Sequence, residues 1–161
     1  MEHRRIKATL AAALCLLALL SGCSPQGDSA SARLYSTQDV QTLLESGAFS
    51  GAMEEVDSDM IALLYGLDQA SVEEGVCYMA LNTSVSADEV TVLVLTDEDA
   101  AQAAQEACQQ RLADQLRVCQ TYAPAAVPAL EGAVVDRVGN TVLLAVGDPD
   151  TLPQAVAQLH G

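Results

Sequence analysis

Glu89-Val90-Thr91-Val92-Leu93-Val94-Leu95-Thr96, running straight into Asp97-Glu98-Asp99, is the stretch that decides the fold. Alternate residues of a strand point to opposite faces. Val90, Val92 and Val94 share one face and Leu93 and Leu95 the other, so this strand is apolar on both sides and needs cover on both. The three acids that follow suit the positive end of a helix. Ala101, Ala104, Cys108, Leu112, Leu116 and Cys119 then recur at helical spacing, while Gln102, Gln105, Glu106, Gln109 and Gln110 take much of the wet side. The spacing predicts one long helix over 97–120. Tyr122-Ala123-Pro124 ends it, and an Ala/Pro-rich loop follows to Gly132.

Upstream, Gly75 to Leu81 reads as a strand, and the turn-like Asn82 to Asp88 joins it to Glu89 to Thr96 as a hairpin. Further upstream, Thr37 to Glu45 reads as a short helix with Val40, Leu43 and Leu44 on its apolar face, Ser36 or Thr37 as cap, and Gly47 as terminator. Glu54, Glu55, Asp57 and Asp59 precede the apolar stretch Met60 to Tyr65, helical or an irregular turn, which stops at Gly66. Downstream, Val134 to Arg137 and Thr141 to Val146 flank Gly139-Asn140, the turn residues of a second hairpin. Gly147-Asp148-Pro149-Asp150 breaks that strand. Thr151 to Leu159 makes a last helix, with Asp150 as its cap and Pro153 tolerated in the first turn. The expected fold is α+β: an antiparallel four-stranded sheet in a ββαββα order, preceded by one or two short N-terminal helices. The long helix covers one face. The other is covered by the N-terminal helices or by a partner. The two ββα units suggest a weak pseudo-duplication.

The N-terminus carries an address. His3, Arg4, Arg5 and Lys7 precede an apolar run of 13 residues, Ala8 to Leu20. A spanning helix needs about 20 apolar residues, so this run fits the core of a secretory signal. It ends in Leu20-Ser21-Gly22-Cys23, whereas an ordinary cleaved signal ends in an A-x-A-like site. Cleavage is expected between Gly22 and Cys23, with the Cys23 sulfur taking up a diacylglyceryl group whose two chains hold stably. Residues 1–22 are then a lipoprotein signal peptide, 23–36 a flexible tether reaching about 20 Å, and 37–161 a single α+β domain. The expected location is the extracytoplasmic face of the cell membrane, lipid-anchored.

Composition narrows the partners. The leader holds three of the seven basic residues and one of the 22 acidic ones, leaving four and 21 and a formal net charge of −17. The four cations are Arg33, Arg111, Arg117 and Arg137, and no lysine remains. Such a chain repels polyphosphate, which excludes nucleic acid as a partner. The charge reads first as solubility and freedom from sticking to an anionic surface, and second as attraction for a cationic partner or divalent metal. With one Phe, four Tyr and no Trp, the chain lacks the rings on which carbohydrate-binding platforms stack sugars.

Little chemistry is legible. After Cys23 the cysteines are Cys77, Cys108 and Cys119. Cys108 and Cys119 lie 11 residues apart in one helix, about 16 Å and too far to bridge, so three reduced thiols are favoured over one disulfide and a free thiol. His160 is the sole histidine beyond the leader and sits at a terminus, a poor place for a catalytic base. Absence of lysine excludes Schiff-base chemistry and a P-loop. The carboxylate pairs Asp88/Glu89, Asp97/Glu98/Asp99 and Asp148/Asp150 have structural explanations at the start of a strand, a helix N-terminus and a helix cap. Asp57-Ser58-Asp59 and Asp148-Pro149-Asp150 offer oxygen ligands for calcium without the pattern of an EF-hand loop. Tyr65-Gly66 reads as a core aromatic followed by a helix stop rather than a ligand-contacting turn. Arg111 reads as the partner of Asp114 on its own helix rather than an anion site.

Leu64-Tyr65-Gly66-Leu67-Asp68, Glu73 to Met79, Ala87-Asp88-Glu89-Val90, the helix with Arg111 and the Tyr122-x-Pro124 exit resemble a family of small bacterial, clostridial-type lipoproteins, the domain of unknown function 4358 (DUF4358). The resemblance spans about residues 35–160. It implies a Gram-positive host and a surface location, and it supplies no activity, ligand or catalytic residue. The expected function is a non-enzymatic interaction or accessory module. It has no cofactor, no metal and no catalytic residue; it is joined to the membrane through Cys23 and has a protein partner at the envelope. The alternatives are an extracytoplasmic binding protein for a small ligand or divalent cation and, third, a small hydrolase.

Overall fold

The structure, a computed structural model, describes residues 33–160. The leader, the Gly22/Cys23 junction and the first part of the tether lie outside the described residues. Five helices and five strands follow one another as α1 (Gln38–Leu44), β1 (Met53–Glu55), α2 (Ser58–Tyr65), β2 (Val72–Ala80), β3 (Glu89–Leu95), α3 (Glu98–Tyr122), α4 (Val127–Glu131), β4 (Val134–Val138), β5 (Thr141–Val146) and α5 (Leu152–Gln158). The strands form one antiparallel sheet in the order β1-β2-β3-β5-β4. The class is α+β as expected, but the sheet has five strands rather than four.

The additional strand is β1. Glu54 and Glu55 are exposed and Met53 is only half-buried, so no apolar alternation marks it. Its conformation comes from pairing Met53, Glu54 and Glu55 with Ala80, Met79 and Tyr78 of β2. The loop expected before Gly132 likewise contains α4, held down by Ala126 and Leu130. Both expected hairpins form: β2 pairs with β3, and β4 turns into β5 through Gly139, whose φ of 55° suits the two-residue turn.

Strand β3 is central, paired with β2 on one side and β5 on the other. One face presents Val90, Val92, Leu143 and Ala145 to Val40 and Leu43 of α1 and to Leu152, Ala155 and Val156 of α5. The other presents Leu93, Leu95, Val142, Leu144 and Val146 to Ile61 and Tyr65 of α2, to Ala101, Ala104 and Cys108 of α3, and to Leu130. Of the N-terminal helices, then, only α1 covers the second face, and it shares that work with α5. Placement of α3 and α5 on opposite faces also removes the pseudo-duplication. A two-fold that exchanged the antiparallel neighbours β3 and β5 would keep both helices on one side.

Helix ends follow their chemistry. Asp97 caps α3 by accepting from the Ala100 amide at 2.7 Å. Asp57 caps α2, and Gly66 ends it in the left-handed region at φ 65°. At α5 it is Asp148, not Asp150, that accepts from the Thr151 amide at 2.9 Å and the Asp150 amide at 3.2 Å. At α1 neither Ser36 nor Thr37 caps with its side chain. Instead, Asp39 reaches back to the Ser36 amide at 2.7 Å, one half of a capping box.

Residues 33–36, assigned by composition to the tether, belong to the folded body. Arg33 holds Asp39 through two hydrogen bonds of 2.8 and 3.1 Å and donates to the Leu159 carbonyl at 2.9 and 3.1 Å. Tyr35 is buried, and its amide donates to Thr141 Oγ1 at 3.0 Å. Its hydroxyl donates to Asp136 at 2.5 Å and meets His160 Nε2 at 2.8 Å. A phenol has one proton, so Nε2 must carry the hydrogen of the second contact. This clasp fastens the start of the body to its last helix.

Burial works to raise the Asp39 pKa, but Arg33 and the Ser36 amide outweigh it and hold the carboxyl below its ordinary value. A depressed carboxyl stabilises the fold above its unfolded pKa of about 3.9, and that contribution is lost as pH falls through the lower folded value. Urea midpoints between pH 7 and pH 2.5 should therefore fall on the acid side of about pH 4. Asp39→Asn should start lower at pH 7 and show a shallower acid limb.

Candidate functional site

Residues 89, 91, 93 and 95 of β3 point toward α3, so the apolar pair Leu93 and Leu95 is preceded on the same face by Glu89 and Thr91. Because β3 is central, Glu89 lies between Met79 of β2 and Val146 of β5 and is 0 % exposed. On α3, Arg111 and Gln115 fall three and seven residues after Cys108, within the stripe that faces the sheet. Helical spacing thus delivers a guanidinium and an amide onto a buried carboxylate.

The contacts close around that carboxylate. Arg111 Nε donates to Glu89 Oε1 at 2.9 Å, and Nη2 donates to Oε2 at 2.8 Å. Gln115 Nε2 donates to Oε2 at 3.2 Å, and the Tyr65 hydroxyl to Oε1 at 2.5 Å. Tyr65 has then spent its proton, so the 2.7 Å contact with Thr91 Oγ1 is donated by the threonine. Arg111 also lies over the Tyr65 ring, 5.5 Å from its centroid, and its Nη2 reaches Met79 Sδ at 3.7 Å. Burial first, and the Glu89 charge second, drive the Tyr65 hydroxyl well above its ordinary pKa, so it remains a neutral donor. A charge buried in this way is tolerable only when paired and hydrogen-bonded.

One atom is left over. Gln115 Oε1 is buried without a hydrogen-bond partner among the described residues. A carboxylate only accepts, so Glu89 selects the amide's NH2 end and the oxygen must face away. Leaving such an acceptor unpaired costs about 1–3 kcal/mol.

Two concavities meet at Gln115 and Asp114. One, of about 400 Å³, opens between the C-terminal half of α3 and the loop joining β2 to β3; Met79, Ala87, Val118 and Cys119 form its apolar walls. The other, of about 550 Å³, lies between α2 and α3 over Leu63, Tyr65 and Arg111. Leu63 and Val118 are among the exposed large apolar residues of the body, at 70 % and 54 %.

The residues singled out from sequence separate clearly. Arg111 pairs with Glu89 across the core and not with Asp114, which accepts instead from Arg117 and from Gln110 at 3.1 Å. Helical spacing had offered only a local partner, because the 22-residue separation is closed by tertiary packing. Tyr65 is a core aromatic and Gly66 a helix stop, as the sequence favoured. Asp88 accepts from the Ser50 amide and hydroxyl at 2.9 and 3.0 Å. Asp57, Asp97 and Asp148 serve as helix or turn acceptors. Among the described residues no group of three or more His, Cys, Asp or Glu is arranged to hold a metal ion, and no helix is long and apolar enough to cross a membrane. Glu89 was placed at the start of a strand. Its role as a buried charge was signalled by its register with Leu93 and Leu95, and Gln115 by its spacing from Cys108.

Cys77, Cys108 and Cys119 are all unbridged. Burial pushes the Cys77 thiol up to about 11 and the Cys108 thiol up to about 12. Thiolate is the reactive form, and at pH 7.5 its fraction at Cys77 is on the order of 10⁻⁴. Cys119 is half-exposed and lines the smaller cleft. Iodoacetamide applied to the native protein should therefore modify Cys119 at least 100-fold faster than Cys77 or Cys108, as read by peptide mass spectrometry. Unfolding in urea should equalise the three.

Fold and site together define a small α+β module in which one antiparallel sheet buries an Arg–Glu pair near two open clefts. The chain belongs to the family described as Domain of unknown function (DUF4358), whose family model matches residues 45–147. That span contains all five strands and every member of the buried cluster. No curated protein matches the chain, and no solved structure does.

Proposed function

We propose that this protein is a non-enzymatic binding module, held at the extracytoplasmic face of a bacterial membrane by a lipid on Cys23. The observation that carries the binding part is the pair of clefts on α3, of about 400 and 550 Å³, within the size range of small-molecule sites. Arg111 of the ion pair lines the larger cleft, and Met79 and Gln115, which contact Arg111 and Glu89, line the smaller. Support for a non-catalytic role comes from how the reactive groups are used. The Glu89 oxygens are spent on Arg111, Tyr65 and Gln115. Two of the thiols are held protonated by burial. The His160 ring packs edge-on against Tyr35 at 5.1 Å.

Support for the anchor is the order of basic start, 13-residue apolar run and Leu20-Ser21-Gly22-Cys23. Expressed in a bacterium, the chain should partition into the detergent phase of a Triton X-114 extract. Its N-terminal peptide should begin at Cys23 with a diacylglyceryl mass. Cys23→Ser should retain the leader and lose the lipid mass. An unmodified Cys23 in the wild-type chain would overturn the anchor. A chain whose clefts engage neither small molecules nor a segment of an envelope protein would overturn the binding role.

A further inference from the structure

β4 ends the sheet on one side, so one of its two edges has no neighbouring strand. Its two-residue turn makes Val138 and Thr141 a hydrogen-bonded pair, and alternation puts Asp136 and Val134 in the same class. The backbone N–H and C=O of Val135 and Arg137 therefore point away from β5. The next ladder fixes the same phase. The Leu95 amide donates to the Asn140 carbonyl at 2.9 Å, so Val142 and Leu144 turn toward β3 while Thr141, Leu143 and Ala145 turn toward β4. The outward groups of Val135 and Arg137 find no hydrogen-bond partner among the described residues.

The opposite edge is blunted: β1 has three residues, two of them exposed glutamates, and short charged edges resist a further strand. β4 has five residues, an unbroken register and three valines. Asp136, on the face toward α1 and α5, is engaged by the Tyr35 hydroxyl. Arg137, on the face toward α3, is engaged by no acid. Arg33, Arg111 and Arg117 pair with Asp39, Glu89 and Asp114. Arg137 meets only neutral acceptors, Gln105 Oε1 at 3.4 Å and the Gly139 carbonyl at 3.3 Å, and its Nη2 makes no hydrogen bond among the described residues. In a chain with 22 acidic residues, the one described arginine without a carboxylate lies on the open edge.

An open edge takes an extended peptide, with main-chain hydrogen bonds giving affinity and alternate side chains giving specificity. A second copy of β4 does not meet that chemistry. Antiparallel pairing of β4 with itself matches like faces, and Asp136, the acid of the strand, lies on the face away from Arg137. We propose that β4 receives an extended segment of a partner protein as a sixth, antiparallel strand, with a carboxylate of that segment on Arg137. No β4 residue lines either cleft, so this interface goes beyond the cleft-binding reading and is judged apart from it.

The acetylated and amidated peptide Ser-Val-Glu-Thr-Val-Val-Ser sets its glutamate opposite Arg137 and a valine opposite Val135. With the purified full chain, the peptide at millimolar concentration should slow hydrogen exchange of the Val135 and Arg137 amides at least fivefold, read by NMR. The Val134 and Asp136 amides, already bonded to β5, should change less than twofold. Replacing the peptide's glutamate by glutamine should weaken binding about threefold, and by lysine at least tenfold. Arg137→Gln should erase the difference between the glutamate and lysine peptides. N-methylation of the peptide's glutamate removes an N–H aimed at β4 and should abolish binding, whereas N-methylation of its threonine, whose N–H points outward, should leave binding intact. Equal binding of the glutamate, glutamine and lysine peptides would overturn the acidic partner. No protection by any of them, or binding indifferent to which nitrogen is methylated, would overturn the edge as a docking site. Protection of Val135 and Arg137 by raised protein concentration alone would give the edge to a second copy and overturn the partner assignment.

Discussion

Replacing Arg111 by methionine should destabilise the protein by about 3–5 kcal/mol. The methionine fills most of the volume but leaves the Glu89 carboxylate, 0 % exposed, with the Tyr65 hydroxyl and the Gln115 amide in place of a full countercharge. At this domain size the loss corresponds to a melting temperature lower by about 10–20 °C. The partner experiment separates a broken pair from lost packing. Glu89→Leu combined with Arg111→Met removes both charges, and substituting apolar residues for a buried pair is often neutral or stabilising. The double variant should therefore recover most of the loss, giving a coupling of about 2–3 kcal/mol in the cycle. Urea midpoints at constant m-value would report it. A double variant as unstable as Arg111→Met would show that the carboxylate was never the source of the cost.

Leu93→Ala should cost about 2–5 kcal/mol, because Leu93 is fully buried in the central strand and the sheet cannot collapse onto the space it leaves. The neighbouring glycine makes this prediction specific. A Cβ placed on Gly75, Leu93's partner across the β2–β3 ladder, would lie 3.3 Å from Leu93 Cδ2 and 3.4 Å from the Ile61 side chain. In the wild-type protein Gly75→Ala must push those side chains apart. With Leu93 truncated, the added methyl enters the vacated space. Gly75→Ala should thus be neutral or mildly destabilising alone and should restore about 1 kcal/mol in the Leu93→Ala background. Equal effects in the two backgrounds would mean the cavity lies elsewhere.

The long helix, both hairpins and the three-layer need of β3 were legible because each follows from local periodicity. Val90 and Val92 against Leu93 and Leu95 demanded cover on two faces, and cover is found there. β1 was not legible, since three residues with two exposed glutamates carry no pattern of their own and become a strand only by pairing with Tyr78 to Ala80. Arg33 and Tyr35 were hidden for a related reason. Their neighbours in sequence are small and polar, and their partners Leu159, Asp136, Thr141 and His160 lie more than 100 residues away. The buried pair was half legible: the register of Glu89 and the helical position of Arg111 each pointed inward, but nothing local showed that the two meet.

The sequence alone determined the elements other than β1 and α4, their antiparallel hairpins, the acidic composition and the expectation of a lipid on Cys23, because those depend on residue types and short spacings. Only the tertiary structure decided that β3 and β5 lie side by side, that α3 and α5 take opposite faces, and that Arg111 spends its charge on Glu89 rather than on Asp114. Those outcomes depend on contacts between distant segments. There the penalty for an unpaired buried charge and the need to cover both faces of one strand outweigh any local preference.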